Sequence, residues 1–350
     1  MTPIQCGVSD GALLLAGELR TAFGIKTAIA VLNSNQRCDI ELPIAYCAPA
    51  ELLEACLSLS KNRPGHLLVH LSGYGYSADG APILLAEALE RVKADGRFRI
   101  AVFFHELYAS GKPWTSAFWY AQRQKRAYRR IAQACHLPVT NARVFAGWLE
   151  RQIATPIQCM PVFSQVGEAE RHAPFAGRDR VMAVFGLAAT RQRVYAELNS
   201  SGDPLERLGV EAILDIGPPC QAPREVKGVP VRPMGVLAVA EIDRLLTQTA
   251  FGYLAYPPNC LAKSGVFAAY SAHGVVPVIA RQFREEFDGL RDGVHVLSPQ
   301  TIPLLAPDGF EACSHAVWRW YAAHSLHHHA AIYERWLNTQ RMEEKQRGVK

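Results

Sequence analysis

The sequence predicts an α/β protein built from two Rossmann-like, doubly wound domains facing a cleft, the first domain lacking its opening strand. Three observations carry that prediction. Short apolar runs alternate with longer amphipathic stretches, the order that parallel strands with helical crossovers require. The alternation breaks over residues 156–180, where prolines and charges follow no period, and then restarts. The chain has 350 residues, more than one ordinary core accommodates. The expected division is 1–165, 178–310, and a C-terminal helix within 311–350 that packs back across the domains.

In the first domain, "HLLVHLSGYGY" (66–76) and "FRIAVFFHE" (98–106) read as strands, with "PILLAEALERVKAD" (82–95) as the helix between them. Helices are expected next at about 115–135 and at 141–153. The second domain shows strands at 180–186, 210–217, 250–257 and 275–280, with helices at 189–199, 239–249 and 265–274. The last helix runs from about Glu311 to Arg341. The longest uncharged stretch, Ser264 to Ala280, is divided by Gly265, Gly274 and Pro277, so it reads as helix, turn and strand rather than a membrane span.

Composition narrows the class. The net charge of +5 is mild but concentrated: Arg123, Lys125, Arg126, Arg129 and Arg130 fall within eight residues without one acid. Such a run is ordinarily a solvated helix face. Its more specific partner is an anionic membrane surface, and no nucleic acid is expected. The start lacks a basic leader region, and the nine cysteines include no C-x-x-C pair. Neither zinc nor a disulfide framework is suggested, which points to the cytoplasm, with peripheral placement at the inner face of the membrane.

Ligands of open α/β sheets sit beyond the carboxyl ends of the strands, and three strand ends here carry unusual chemistry. "SGYGY" (72–76) offers Gly73 and Gly75 for close backbone approach, with Tyr74 and Tyr76 to stack on a sugar. "HE" ends the next strand with an imidazole and a carboxylate, His105 and Glu106. "YPPNCLAKSG" (256–265) feeds a helix that starts near Ser264. A lysine, a hydroxyl and a glycine at a helix start suit a phosphate, because free N–H groups, the helix dipole and a full charge converge there. Simple capping by Ser264 is the equal alternative.

Other motifs fail on context. "GVSDG" (7–11) matches a nucleophile elbow in letters only, with too few residues before it for the required strand. His324 and His328 are four apart, but no carboxylate stands at metal-motif spacing. No Walker A motif or G-x-G-x-x-G follows a strand.

Three segments taken together, "HELYASGKPWTSAFWYAQRQKR", "MGVLAVAEIDRLLTQTAFGYLAYPP" and "LAKSGVFAAYSAHGVVPVI", resemble bacterial glycosyltransferases of the GT-B fold, in particular group-1, family-4-like enzymes of surface-polysaccharide synthesis. The resemblance covers Gly7 to about Trp336. It implies an N-terminal domain for the acceptor and a C-terminal domain for a nucleotide-sugar donor, with no cofactor and no obligatory metal. It assigns Lys263, Ser264 and Gly265 to the donor phosphates, adds Arg191, Arg193 and Tyr256 on the donor side, and places His105 and Glu106 against the transferred sugar. Gly73, Tyr74, Gly75, Tyr76 and Asp10, the last in the segment resembling the first glycine loop and helix, fall on the acceptor side.

Two departures stand out. Leu261 and Ala269 occupy the places of two glutamates that family-4 enzymes commonly carry. No first strand is read before the glycine loop, as expected either of a domain sheet without it or of a shortened reading of a longer protein. The leading expectation is sugar transfer to a glycan or lipid-linked acceptor. The alternative is a degenerate, non-catalytic relative that binds a glycan or a partner.

Overall fold

The computed structural model describes residues 7–32, 42–109, 111–200, 204–306 and 308–347. Its contacts divide the chain into Met1–Met160 with Leu326–Lys350, here unit 1, and Pro161–Ser325, here unit 2.

Unit 1 opens with α1 (Gly7–Thr21), β1 (Ile29–Leu32), β2 (Ile44–Cys47) and α2 (Leu52–Ser60). It continues through β3 (Gly65–Leu71), the single turn α3 (Gly73–Tyr76), α4 (Ile83–Asp95), β4 (Phe98–Phe104), α5 (Ser116–Ala134), β5 (Leu137–Thr140), α6 (Arg143–Glu150) and β6 (Gln158–Cys159). Strands β3, β4, β5 and β6 pair in sequence order, all parallel, while β1 and β2 form a separate parallel pair. Among the described residues no strand precedes α1. Strand β4 is the centre: six of its seven residues are buried, the run expected of a parallel strand covered on both faces. Helix α4 turns Leu85, Ala86, Ala88, Leu89 and Val92 inward and stops at Gly96, whose φ of 79° is the left-handed cap a glycine supplies without strain.

The expected strand 66–76 is shorter than its apolar run suggested. It ends at Leu71, and Ser77 N–H closes a helical turn onto Gly73 O. "GVSDG" lies in the first turn of α1 rather than between a strand and a helix, so it is not an elbow.

Unit 2 contains β7 (Asp179–Phe185), α7 (Ala188–Ser200), α8 (Pro204–Leu208), β8 (Ala212–Ile216), β9 (Glu225–Val226) and β10 (Val229–Gly235). After these come α9 (Val239–Gln248), β11 (Thr249–Leu254), α10 (Gly265–Ala272), β12 (Val276–Ile279) and α11 (Gly309–Ala322). The sheet order is β12-β11-β7-β8-β10-β9, parallel except for the short β9. Strand β11 is buried at all six positions, and within it a Cβ on Gly252 would overlap the Tyr270 ring, whose hydroxyl donates to Ala183 O at 2.9 Å. The sequence pattern missed β10 because Pro230 and Pro233 interrupt it. The strand accommodates them with only a two-residue outer neighbour and a register shift between Pro233 and Gly235.

Two expectations about connections change. The aperiodic stretch 156–180, expected as a linker, is from Pro161 onward strapped onto unit 2. Val162 N–H donates to Ala262 O at 2.9 Å, and Ser164 N–H donates to the Tyr321 hydroxyl at 2.7 Å. The guanidinium of Arg178 donates to Ala173 O, Thr249 O and His273 O. The single C-terminal helix is two, because the chain turns at 323–325. Helix α11 packs on α10, and α12 (Leu326–Arg347) packs on α1 in unit 1. His324 lies in that turn and His328 in α12, so they do not share a helix face. No described helix is long and apolar enough to cross a membrane.

Candidate active site

Unit 2 has a topological switch point. From β7 the chain proceeds through β8 and β10 on one side, then returns to place β11 and β12 on the other. The crevice beyond the carboxyl ends of β7 and β11 is where an open α/β sheet binds ligands. Strand β7 runs out at Gly186, whose φ is 129°. A Cβ there would stand 3.5 Å from Val266 Cγ2, so the β7 loop lies against the first turn of α10.

Strand β11 leads through half-buried Tyr256 and a 3-10 turn, Pro258–Lys263, into that helix. Ser264 is its N-cap, with Oγ accepting from Phe267 N–H at 3.2 Å. The capping reading of Ser264 is therefore realised. The N–H groups at Gly265 and Val266 belong to the first turn that a helix does not satisfy itself. A Cβ on Gly265 would meet nothing within 4 Å, so space lies open over them. Half-buried Lys263 precedes the cap and acts electrostatically on the Cys260 thiol, which burial raises and the lysine draws down. Helix N-terminus, open space and lysine thus meet at the switch point, a phosphate-suited arrangement.

Of the two donor-side arginines, Arg191 departs from the expectation. Arg191 is 1% exposed and faces inward. Nη1 donates to Asp215 Oδ2 at 2.5 Å, Nε donates to Gly186 O at 3.0 Å, and Nη2 donates to Pro218 O. Asp215 also accepts from the Tyr195 hydroxyl at 2.6 Å. The assignment of Arg191 to a ligand phosphate is corrected: its charge is neutralised within the sheet, where it fixes the Gly186 loop. Arg193 is exposed on α7, and its charge acts on Glu197, whose carboxyl is raised by burial and lowered by Arg281 and Arg193.

In unit 1 the ends of β3 and β4 are joined by side chains. The Ser72 hydroxyl donates to Glu106 Oε1 at 2.7 Å, and His70 Nδ1 lies 3.0 Å from His105 Nε2. Asn141 Nδ2 donates to His105 O at 2.9 Å, and buried Gln124 accepts from Ala109 N–H while donating to Asp79 O. His105 and Glu106, both half-buried, are therefore brought together and held.

The "SGYGY" residues divide. Tyr74 is 55% exposed, whereas the Tyr76 hydroxyl donates back to His70 O at 3.0 Å and is not presented to a sugar. Gly73 is a packing glycine, because a Cβ there would come within 2.5 Å of Gly80 O and of the Tyr128 hydroxyl. Gly75 has room. Asp10 is exposed in the first turn of α1, and among the described residues it joins no hydrogen bond of this group.

Burial pushes the His70 imidazole down to about 4, and it lowers His136, His172 and His295 as well. A histidine with a lowered folded pKa contributes stability above its unfolded value of about 6.5, and loses it as the pH falls toward the folded value. Thermal melts are expected to fall steadily from about pH 6.5 to 4.5, above the range where carboxylates take over. His70→Gln should flatten that slope, and an unchanged slope would show that His70 is not the group involved.

The basic run lies on α5, where most of its charge has a partner in the chain. Arg123 pairs with Asp79 at 3.2 Å, and Arg130 pairs with Glu90 at 2.7 Å and with Glu87 at 3.7 Å. Arg129 donates to Gln152, and the Lys125 ammonium sits 4.4 Å from the Tyr108 ring centroid. Arg126 is exposed.

No family model and no curated protein matches the chain. Solved structures do. An α-glucosyltransferase in complex with UDP and a 13-mer DNA aligns over 91% of this chain and 92% of its own, at 10% identity and a TM-score of 0.56. An E. coli structure described as trehalose-6-phosphate bound with UDP-2-fluoro glucose aligns over 96% and 97%, at 9% identity and 0.56. The α,α-trehalose 6-phosphate synthase of Burkholderia multivorans aligns over 85% and 76%, at 13% identity and 0.51. The fold is that of the GT-B glycosyltransferases.

Within this GT-B fold, sequence reasoning overlooked two things. Three consecutive sheet strands end in glycine at left-handed φ, Gly186, Gly217 and Gly235. They are laced together, Gly186 N–H to Ile216 O at 3.1 Å and Gly217 N–H to Gly235 O at 2.8 Å. "VFG", "DIG" and "PMG" were legible as a repeated strand-end signal. Gln124 and Asn141, which pin the unit 1 loops, had no such signal. Leu261 and Ala269 are 0% and 1% exposed, so the GT-B core takes apolar side chains at both positions. Among the described residues no group of three or more His, Cys, Asp or Glu side chains forms a metal cluster.

Proposed function

We propose that the protein transfers a sugar from a nucleotide-sugar donor to a glycan or lipid-linked acceptor in surface-polysaccharide synthesis. The observation that carries the proposal is the α10 N-terminus at the unit 2 switch point, with Lys263 before it and open space over Gly265. There the donor diphosphate would be met by N–H groups, helix dipole and ammonium, which stabilise the charge that develops as the glycosidic bond breaks. Neutralisation by these groups makes a metal unnecessary in this reading. Tyr256 and Arg193 belong to the same donor side.

Glu106, held by Ser72, and His105, held by His70, orient the acceptor or accept its hydroxyl proton. Exposed Tyr74, two residues after Ser72, suits a sugar face. The lipid-linked form of the reading places the protein in the cytoplasm at the inner face of the membrane, with Arg123, Lys125, Arg126, Arg129 and Arg130 toward anionic lipid. A second reading, a non-catalytic relative that binds a glycan or a partner, is favoured by the buried apolar Leu261 and Ala269.

Lys263→Ala decides between them. Loss of a phosphate contact of about 1–3 kcal/mol should lower donor turnover, as kcat/KM, about 5- to 150-fold. UDP binding by calorimetry should weaken in parallel. Turnover within about threefold of wild type would sink the assignment of Lys263, and no binding of any nucleoside diphosphate by wild type would sink the enzyme reading.

A further inference from the structure

We infer that the amino-terminal end of α5, with the loop before it, is a foot that enters the headgroup layer of a lipid bilayer. The inference rests on the surface itself and not on the transfer chemistry. Trp114 is 77% exposed, Phe118 43%, Trp119 73% and Tyr120 44%. Three consecutive aromatics on a helix span about 200° of its circumference, so one core face cannot cover them all. The face α5 buries is instead made by Gln124, Ala127, Tyr128, Ile131 and Ala132. Phe118 and Trp119 meet edge to face at 5.5 Å, and the Lys112 ammonium lies 5.3 Å from the Trp114 ring centroid. A cluster of large apolar side chains left to water marks an interaction surface.

The chemistry of the cluster selects the occupant. Tryptophan and tyrosine favour the bilayer interface, where an apolar ring and a polar edge are both satisfied. Exposed Lys112 and Arg126 add positive charge on the same segment, which complements anionic headgroups. A phosphate polymer would instead need a row of uncommitted cations. Arg123, Arg129 and Arg130 already engage Asp79, Gln152, Glu87 and Glu90, and Lys125 lies over Tyr108. Apolar exposure is the larger feature, so insertion dominates and charge adds selectivity. The foot begins a few residues beyond His105 and Glu106, and Gln124 of α5 holds the intervening loop at Ala109. An acceptor delivered from a membrane would arrive beside the end of β4.

The test is co-sedimentation of the full chain with vesicles of phosphatidylcholine alone and of phosphatidylcholine mixed with phosphatidylglycerol. Wild type is expected to bind both, more tightly the mixed vesicles. The W114A/W119A variant, whose removed rings are exposed and leave the core intact, should partition about tenfold or more weakly into either. Lys112→Gln with Arg126→Gln should weaken binding severalfold on anionic vesicles only. The inference is overturned if wild type ignores both vesicles, or if W114A/W119A binds as well as wild type. It is equally overturned if the tryptophans instead support a dimer that the variant loses, or if the chain binds single-stranded DNA or heparin in place of vesicles. None of these measurements includes a sugar nucleotide, so a negative result leaves the transfer proposal to its own test.

Discussion

Asp215→Ala is expected to destabilise unit 2 by about 3–5 kcal/mol, because it leaves the buried Arg191 cation without its counter-charge. The pair is 2.5 Å apart, with side chains 1% and 6% exposed, so solvent cannot replace the lost partner. Asp215 also accepts from the Tyr195 hydroxyl, and that buried donor would be orphaned too. The effect reaches the candidate donor crevice through Arg191, which donates to Gly186 O and Pro218 O at the ends of β7 and β8. Urea unfolding gives the stability change, and a loss below about 1 kcal/mol would mean the carboxylate is not what compensates Arg191. The double variant R191M/D215L separates the two roles. An apolar pair of similar volume should recover much of the stability, while nucleoside diphosphate binding stays weak because nothing fixes the Gly186 loop.

Gly73→Ala should cost at least about 2 kcal/mol and reduce activity, whereas Gly75→Ala two residues later should be tolerated. At Gly73 the new Cβ meets the Gly80 carbonyl oxygen and the Tyr128 hydroxyl, both at 2.5 Å. Neither can yield cheaply: one is backbone, and the other belongs to a ring that is 1% exposed. The relief available is movement of the β3 loop, which carries Ser72 away from Glu106. At Gly75 the nearest atom is Ser72 Cβ at 4.0 Å, so a methyl group fits. Equal stability of the two variants by thermal melting would show that the Gly73 contact is not tight.

Much of the fold was legible because its signals are local. β4 announced itself by a run of residues buried on both faces, and α4 by its inward stripe and terminal Gly96. The start of α10 was readable for the same reason, since Ser264 caps a turn made by its own neighbours. β10 was not legible, because its prolines are acceptable only beside the partner strands that surround it. The candidate site was legible as strand-end chemistry, "HE" and "LAKSG", but not as a network. Ser72 and Glu106 are 34 residues apart and His70 and His105 are 35 apart, so only pairing of β3 with β4 brings them together.

By itself the sequence determined the alternation of strands and helices, the α/β class, and the residues that end the strands. These depend on periodicity, capping and turn chemistry within a few residues. The tertiary structure decided what each polar group does. Arg191 reads locally as a cation at a helix start, yet its partner is Asp215, brought opposite by β8. The arginines of α5 read as one basic face, yet α4 and the loop before it supply acids for two of them. A charge is accessible or neutralised according to what the rest of the chain places within a few ångströms, and no local pattern contains that information.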